Sequence, residues 1–452
     1  MLPTAGLRID QAPPLHLPFR FFGTAPLFAL LTGGMLIFQG GDLLLAPLLP
    51  VTIATAHLTV LGWLLMVICG AMIQMIPVLA GIPVPWPRLV PWVHGLLTLG
   101  TLSLFAGLTA DPVSPLPLGL SVVALTLGIS GFLVPIAIAL VKAPAKHPTV
   151  NGMRLAMICL TGTLLLGVVF LGEHAHGFLD VDRRLLLGIH LFWGLIGTMG
   201  TLIIGVSFQM LPMFYMTPAF PNRTANRILA GIALSMLLVP LALLAGGVDH
   251  PWLPLAAALP GIAALMLYGH QVRQMLHNRK RKWVDTTLRL WLFGFACGTT
   301  SLLLMALWPF TDSEPWRFLT GILYLFGWVA PVILGMLQKI IPFLVWFHRF
   351  STLAGLVEIP MMDDLSPEKP LRAQMWLMIA SVASLILATL TGWDPVARLA
   401  GVGLIGVGAI SGYALWFALR ITPPKAPEMP DFASFFKDSF PPPPQGQDGT
   451  NP

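Results

Sequence analysis

Long apolar stretches alternate with short polar connections along the whole chain, and twelve of the stretches reach 18 residues or more. Runs of that length cross the hydrocarbon core of a bilayer as single helices. They predict spans near 22–40, 54–79, 88–109, 116–141, 152–172, 184–213, 224–247, 251–272, 285–309, 317–346, 371–391 and 395–419. A short N-terminal segment, 1–21, leads into them, and a polar, proline-rich stretch, 421–452, closes the chain and reads as a disordered tail. The opening lacks a charged start, an apolar run and a cleavage site in that order, so no signal peptide is expected.

The spans repeat. Gly62, Gly70 and Pro77 of the second recur as Gly197, Gly205 and Pro212 in the sixth, an offset of 135. They recur again as Gly327, Gly335 and Pro342 in the tenth, an offset of 265 from the first copy. Gln74 matches Gln209, and Lys339 takes that place in the third copy. Glycines eight apart share a helix face and let neighbouring helices approach closely. The predicted fold class is therefore all-α and integral to the membrane, with three parallel four-helix repeats about an axis along the membrane normal.

Composition agrees, with 56% hydrophobic and 10% charged residues and a mean hydropathy of +0.82. Charge adds orientation. With the N-terminus inside, 21 of the 25 basic residues fall on the inner face, and only Arg183, Arg184, Arg317 and Arg398 fall outside. The positive-inside rule then places both termini in the cytoplasm, with the inner (plasma) membrane as the location. The basic run at 279–282 reads as part of this signal, with the lipid bilayer as partner and no nucleic acid. Cys69, Cys159 and Cys297 lie inside apolar spans without metal-ligand spacing and read as small core residues.

The twelve-span plan and the strings HLTVLGWLLMVICGAMIQMIPVLAG, IHLFWGLIGTMGTLIIGVSFQMLP and LFGWVAPVILGMLQKIIP resemble subunit I of the haem–copper oxidase superfamily. The cbb-type oxidase and nitric oxide reductase branches are the most similar. The resemblance implies haem b, with copper as a second cofactor, and a cytochrome or other respiratory subunit as partner. His57 matches the low-spin haem ligand of the second span, and His190 the first copper ligand of the sixth. The remaining ligands are missing. Thr320 and Ile322 stand where the family carries a His-X-His pair, and no histidine lies between Arg227 and Gly247, where the family has two. Acidic residues with which to build a proton channel are almost absent from the spans.

Those departures make the chain a degenerate member by expectation: haem-binding, engaged in electron transfer or gas handling, without a complete pumping centre. Whether it is an enzyme stays open; as one, it would be a haem-dependent oxidoreductase of the terminal oxidase or nitric oxide reductase type. The catalytic residues are not legible. His174 and His176 close the fifth span at the depth of His57 and His190, so His174, His176 and His190 form a candidate metal set. The start LPFRFFGTAPLFALL is similar to the NnrS-like haem–copper family of nitric oxide stress, a second reading. A cofactor-free transporter or an assembly factor for copper or haem is a third.

Overall fold

The computed structural model describes residues 11–143, 147–176, 182–310 and 313–424, with the side chains of 174–176, 309 and 314 left out. Twelve helices in it are long and apolar enough to span a membrane. They are α1 (His16–Leu44), α2 (Pro50–Ala80), α3 (Pro87–Thr109), α4 (Pro115–Lys142), α5 (Pro148–Glu173) and α6 (Arg183–Tyr215). The second half holds α7 (Asn222–Gly247), α8 (Trp252–His277), α9 (Thr286–Leu307), α10 (Pro315–Leu353), α11 (Glu368–Thr391) and α12 (Asp394–Arg420). The first helix begins at His16, six residues before the expected 22, and the tail from 425 onward lies outside the described residues.

Local chemistry sets the helix ends. Proline opens α2, α4 and α5, where a backbone N–H has no partner in any case. Asp182 and Asp285 accept backbone N–H groups at the starts of α6 and α9. Gly81 and Gly392 end α2 and α11 with positive φ, which a side chain would resist.

The threefold repeat is a packing repeat. In their most apolar windows α2, α6 and α10 are 78%, 61% and 78% buried, against 50% or less for every other span. These three are the central helices. Each seats its repeat glycines on the first helix of its own unit. A Cβ on Gly62 would lie 2.2 Å from the Phe28 ring of α1, one on Gly197 2.7 Å from Cys159 Sγ of α5, and one on Gly327 2.6 Å from Cys297 Cβ of α9. Gly70, Gly205 and Gly335 repeat the contact one level further on, against α1, α5 and α9. The outer helices pair as α3 with α4, α7 with α8 and α11 with α12, and α12 closes the ring on α1. At that closure Gly33 and Gly401 meet backbone to backbone.

One shared feature carries no mark in the pattern of apolar residues. Each central helix opens into a π-helical stretch: Leu58–Leu65, Phe192–Gly200 and Leu323–Val329. All three contain the first repeat glycine. A π turn adds a residue per turn, widens the helix and turns carbonyls away from their usual partners. The phenol of Tyr324 on α10 donates to one of these, Leu195 O on α6, at 2.9 Å.

Candidate functional site

His57 is the last residue before the π stretch of α2, and His190 lies two residues before that of α6. The two imidazoles converge. Their ring centroids are 6.4 Å apart, with planes inclined at 34°. Among the described residues no hydrogen bond joins the rings. His57 Nδ1 is 2.8 Å from Ile53 O. A carbonyl only accepts, so Nδ1 carries the proton and Nε2 keeps a free lone pair. Metal-bound histidines are commonly oriented through such a bond from the second ring nitrogen.

His190 is held differently. Phe170 of α5 meets its ring edge-on, with centroids 5.6 Å apart. Its Nδ1 is buried without a hydrogen-bond partner. A buried nitrogen left bare costs on the order of 1–3 kcal/mol unless something binds it. Among the described residues each ring therefore keeps one unused nitrogen. Two imidazoles facing each other across one metal, at about 2.0–2.1 Å from each nitrogen, have centroids roughly 6 Å apart.

The family positions on α10 hold no ligand. Thr320 Oγ1 donates to Trp316 O at 2.8 Å and accepts from Trp308 Nε1 at 3.1 Å, so its oxygen is committed. Ile322 is a core side chain, 6% exposed. His250 is exposed beyond α7. The side chains of His174 and His176 lie outside the described residues, and with them most of the three-histidine metal set. Among the described residues no group of three or more His, Cys, Asp or Glu side chains converges. Glu173 is paired with Arg183 at 3.2 Å.

The donor set fits one metal held by two neutral imidazoles, and it does not fit the full family set. Among the described residues no carboxylate joins the pair, so a bare divalent ion would sit there uncompensated. Haem iron(II) brings its own dianionic porphyrin, and copper(I) carries a single charge. Either suits the pair better.

No family model matches the chain, and no curated protein matches it. Among solved structures, the chain is similar to a heme-copper terminal oxidase dimer determined by cryo-EM, with a TM-score of 0.61. The match covers 92% of this chain and 86% of that chain at 14% identity. The fold is haem–copper oxidase subunit I-like. At that identity the likeness establishes architecture alone. His57 and His190 come from the central helices of the first and second units, immediately ahead of their π stretches. Those stretches and the Tyr324 tie had no signature in the sequence beyond the shared glycine.

Proposed function

We propose that this chain is a non-pumping metal-cofactor protein built on the haem–copper oxidase fold, with His57 and His190 as the ligands of one redox metal. Haem b iron is the first reading. The observation that carries it is the approach of two imidazoles to 6.4 Å, each with an unused nitrogen, at positions matching family ligands. A bound haem would supply one-electron exchange. The Ile53 carbonyl holds the His57 ring in one tautomer, and Phe170 limits rotation of His190. Held by both His57 and His190, such a centre would relay electrons; held by His57 alone, it would be able to bind oxygen or nitric oxide. A respiratory cytochrome is the partner such a relay requires.

A second reading, copper(I) handling, is favoured by the donors themselves: among the described residues no third His, Cys, Asp or Glu side chain joins the two imidazoles, and copper(I) is satisfied by few ligands. The optical spectrum and metal content of the purified protein in detergent separate the two. The first reading expects a Soret band that His57→Ala abolishes and His190→Ala shifts, with both variants inserted and folded. Copper at one per chain without a Soret band, lost in the same variants, moves the assignment to the second. A wild type containing neither removes the site and leaves the cofactor-free transporter or assembly factor.

A further inference from the structure

The threefold ring is not closed equally at its three seams. Between units, α4 packs along α5 and α12 packs tightly along α1. At the third seam the backbones of α8 and α9 stay apart, and the two helices meet through the rings of Tyr268 and Phe295, 6.0 Å between centroids. The helix α8 is also the least buried span, at 11% of its most apolar window. Behind this seam lies a cavity of about 40 Å³ that both helices line, through Leu265 on α8 and Leu302 and Met305 on α9. Its inner wall is Ile232 of α7 with Tyr324 and Trp328 of α10.

The polar groups of the cavity decide which guests it accepts. Thr201 Oγ1 donates to Ile196 O at 3.1 Å, and Tyr324 OH donates to Leu195 O at 2.9 Å. Ser235 Oγ accepts from Gly261 N at 2.7 Å and donates toward Ala257 O and Ala258 O. Every lining hydroxyl is thus spent on backbone, and Trp328 Nε1 is the one lining donor left bare. The volume exceeds the roughly 10–15 Å³ that one water needs, yet water there would find few partners, and apolar cavities of this kind stay dry. A dry cavity behind an open seam in a lipid-facing wall meets hydrocarbon before anything else.

We propose that the α8–α9 seam admits the end of one acyl chain of a membrane lipid, which seats against Ile232 and Tyr324 beside the π stretches of α6 and α10. The site is independent of any metal at His57 and His190. It distinguishes the third seam from the other two and gives the broken symmetry a use: a lipid chain completes the packing there.

A phosphatidylglycerol with a diazirine at the end of one acyl chain tests this with the full chain in lipid bilayers. Peptide mass spectrometry after illumination should find label on Ile232 or Tyr324, as well as on Leu303, which is 61% exposed on the outer face of α9. Leu302→Trp fills the mouth with a much larger, largely apolar ring. It should lower interior labelling at least fivefold and leave Leu303 labelling unchanged. Trp328→Phe removes the bare N–H and should keep interior labelling, because a hydrocarbon has no need of it. Absent interior label in the wild type, or label undiminished in Leu302→Trp, overturns the proposal. Loss of interior label in Trp328→Phe also overturns it, by pointing to a ligand with a polar head.

Discussion

Lys339 stands where the first two repeats carry Gln74 and Gln209, and the structure explains the exchange. Its ammonium lies 2.9 Å from Asp285 Oδ2, with the two side chains 13% and 14% exposed. Oδ1 of the same carboxylate accepts from Leu288 N at 2.9 Å and starts α9. Asp285 thus serves two purposes and Lys339 one. Asp285→Ala removes a helix cap and strands a mostly buried ammonium; losing one partner of a buried pair costs about 3–5 kcal/mol. Lys339→Gln restores the residue of the other repeats and leaves the carboxylate on the helix N-terminus, which favours negative charge by about 0.3–1 kcal/mol. Thermal unfolding in detergent should therefore show a large drop for Asp285→Ala and a small one for Lys339→Gln; the reverse order would refute the division of roles. The sequence made Lys339 visible as a break in the repeat, but not its partner, because Asp285 lies 54 positions away and belongs to no motif. His57 and His190 were visible for the opposite reason: histidine is rare inside apolar spans, so each stood out before any geometry was known.

At the scale of the helices, the repeat glycines mark where central helices touch the first helix of their unit. Gly205 and Gly152 are the closest case. A Cβ on Gly205 would lie 2.9 Å from Gly152 Cα, and one on Gly152 2.7 Å from Gly205 Cα, so α5 and α6 meet at bare backbone. Flexible side chains can yield, but backbone cannot. Overpacking of this kind costs about 1–3 kcal/mol. Gly95 and Gly119 offer a control, since a Cβ at either meets nothing within 4 Å. Gly205→Ala should lower the unfolding midpoint clearly, and Gly95→Ala or Gly119→Ala should leave it unchanged or raise it slightly, because alanine favours helix. Equal effects at all three positions would show that intrinsic helix preference, and not contact, sets the response. Span count and repeat period were legible because bilayer thickness and helix approach impose length and glycine spacing directly. The π stretches were not, since the inserted residue leaves composition and apolar content unchanged. The open α8–α9 seam was equally hidden, because it depends on how three units close and not on any one of them.

For the whole molecule, the orientation in the bilayer rests on charge and on span number together. Twelve spans would return the chain to its starting side, and under the positive-inside rule the 21-to-4 split of basic residues predicts the cytoplasm for that side. One span more or fewer would put the tail opposite the N-terminus and break the split. The three native cysteines bear on how this can be measured. Cys69, Cys159 and Cys297 are buried and free, and Cys159 and Cys297 fill the ground in front of Gly197 and Gly327. They are shielded from a membrane-impermeant maleimide, so a cysteine introduced elsewhere reports its own side without removal of the native ones. Lys280→Cys lies between α8 and α9, and Lys425→Cys lies just past α12. Both should stay unlabelled in intact right-side-out cells or spheroplasts and become labelled once the membrane is permeabilised. Arg183→Cys, at the start of α6, should react without permeabilisation. Labelling of Lys280→Cys from outside would invert the topology. Labelling of Lys425→Cys alone would mean an odd number of crossings, and a helix in the last unit would then lie along the bilayer surface instead of through it.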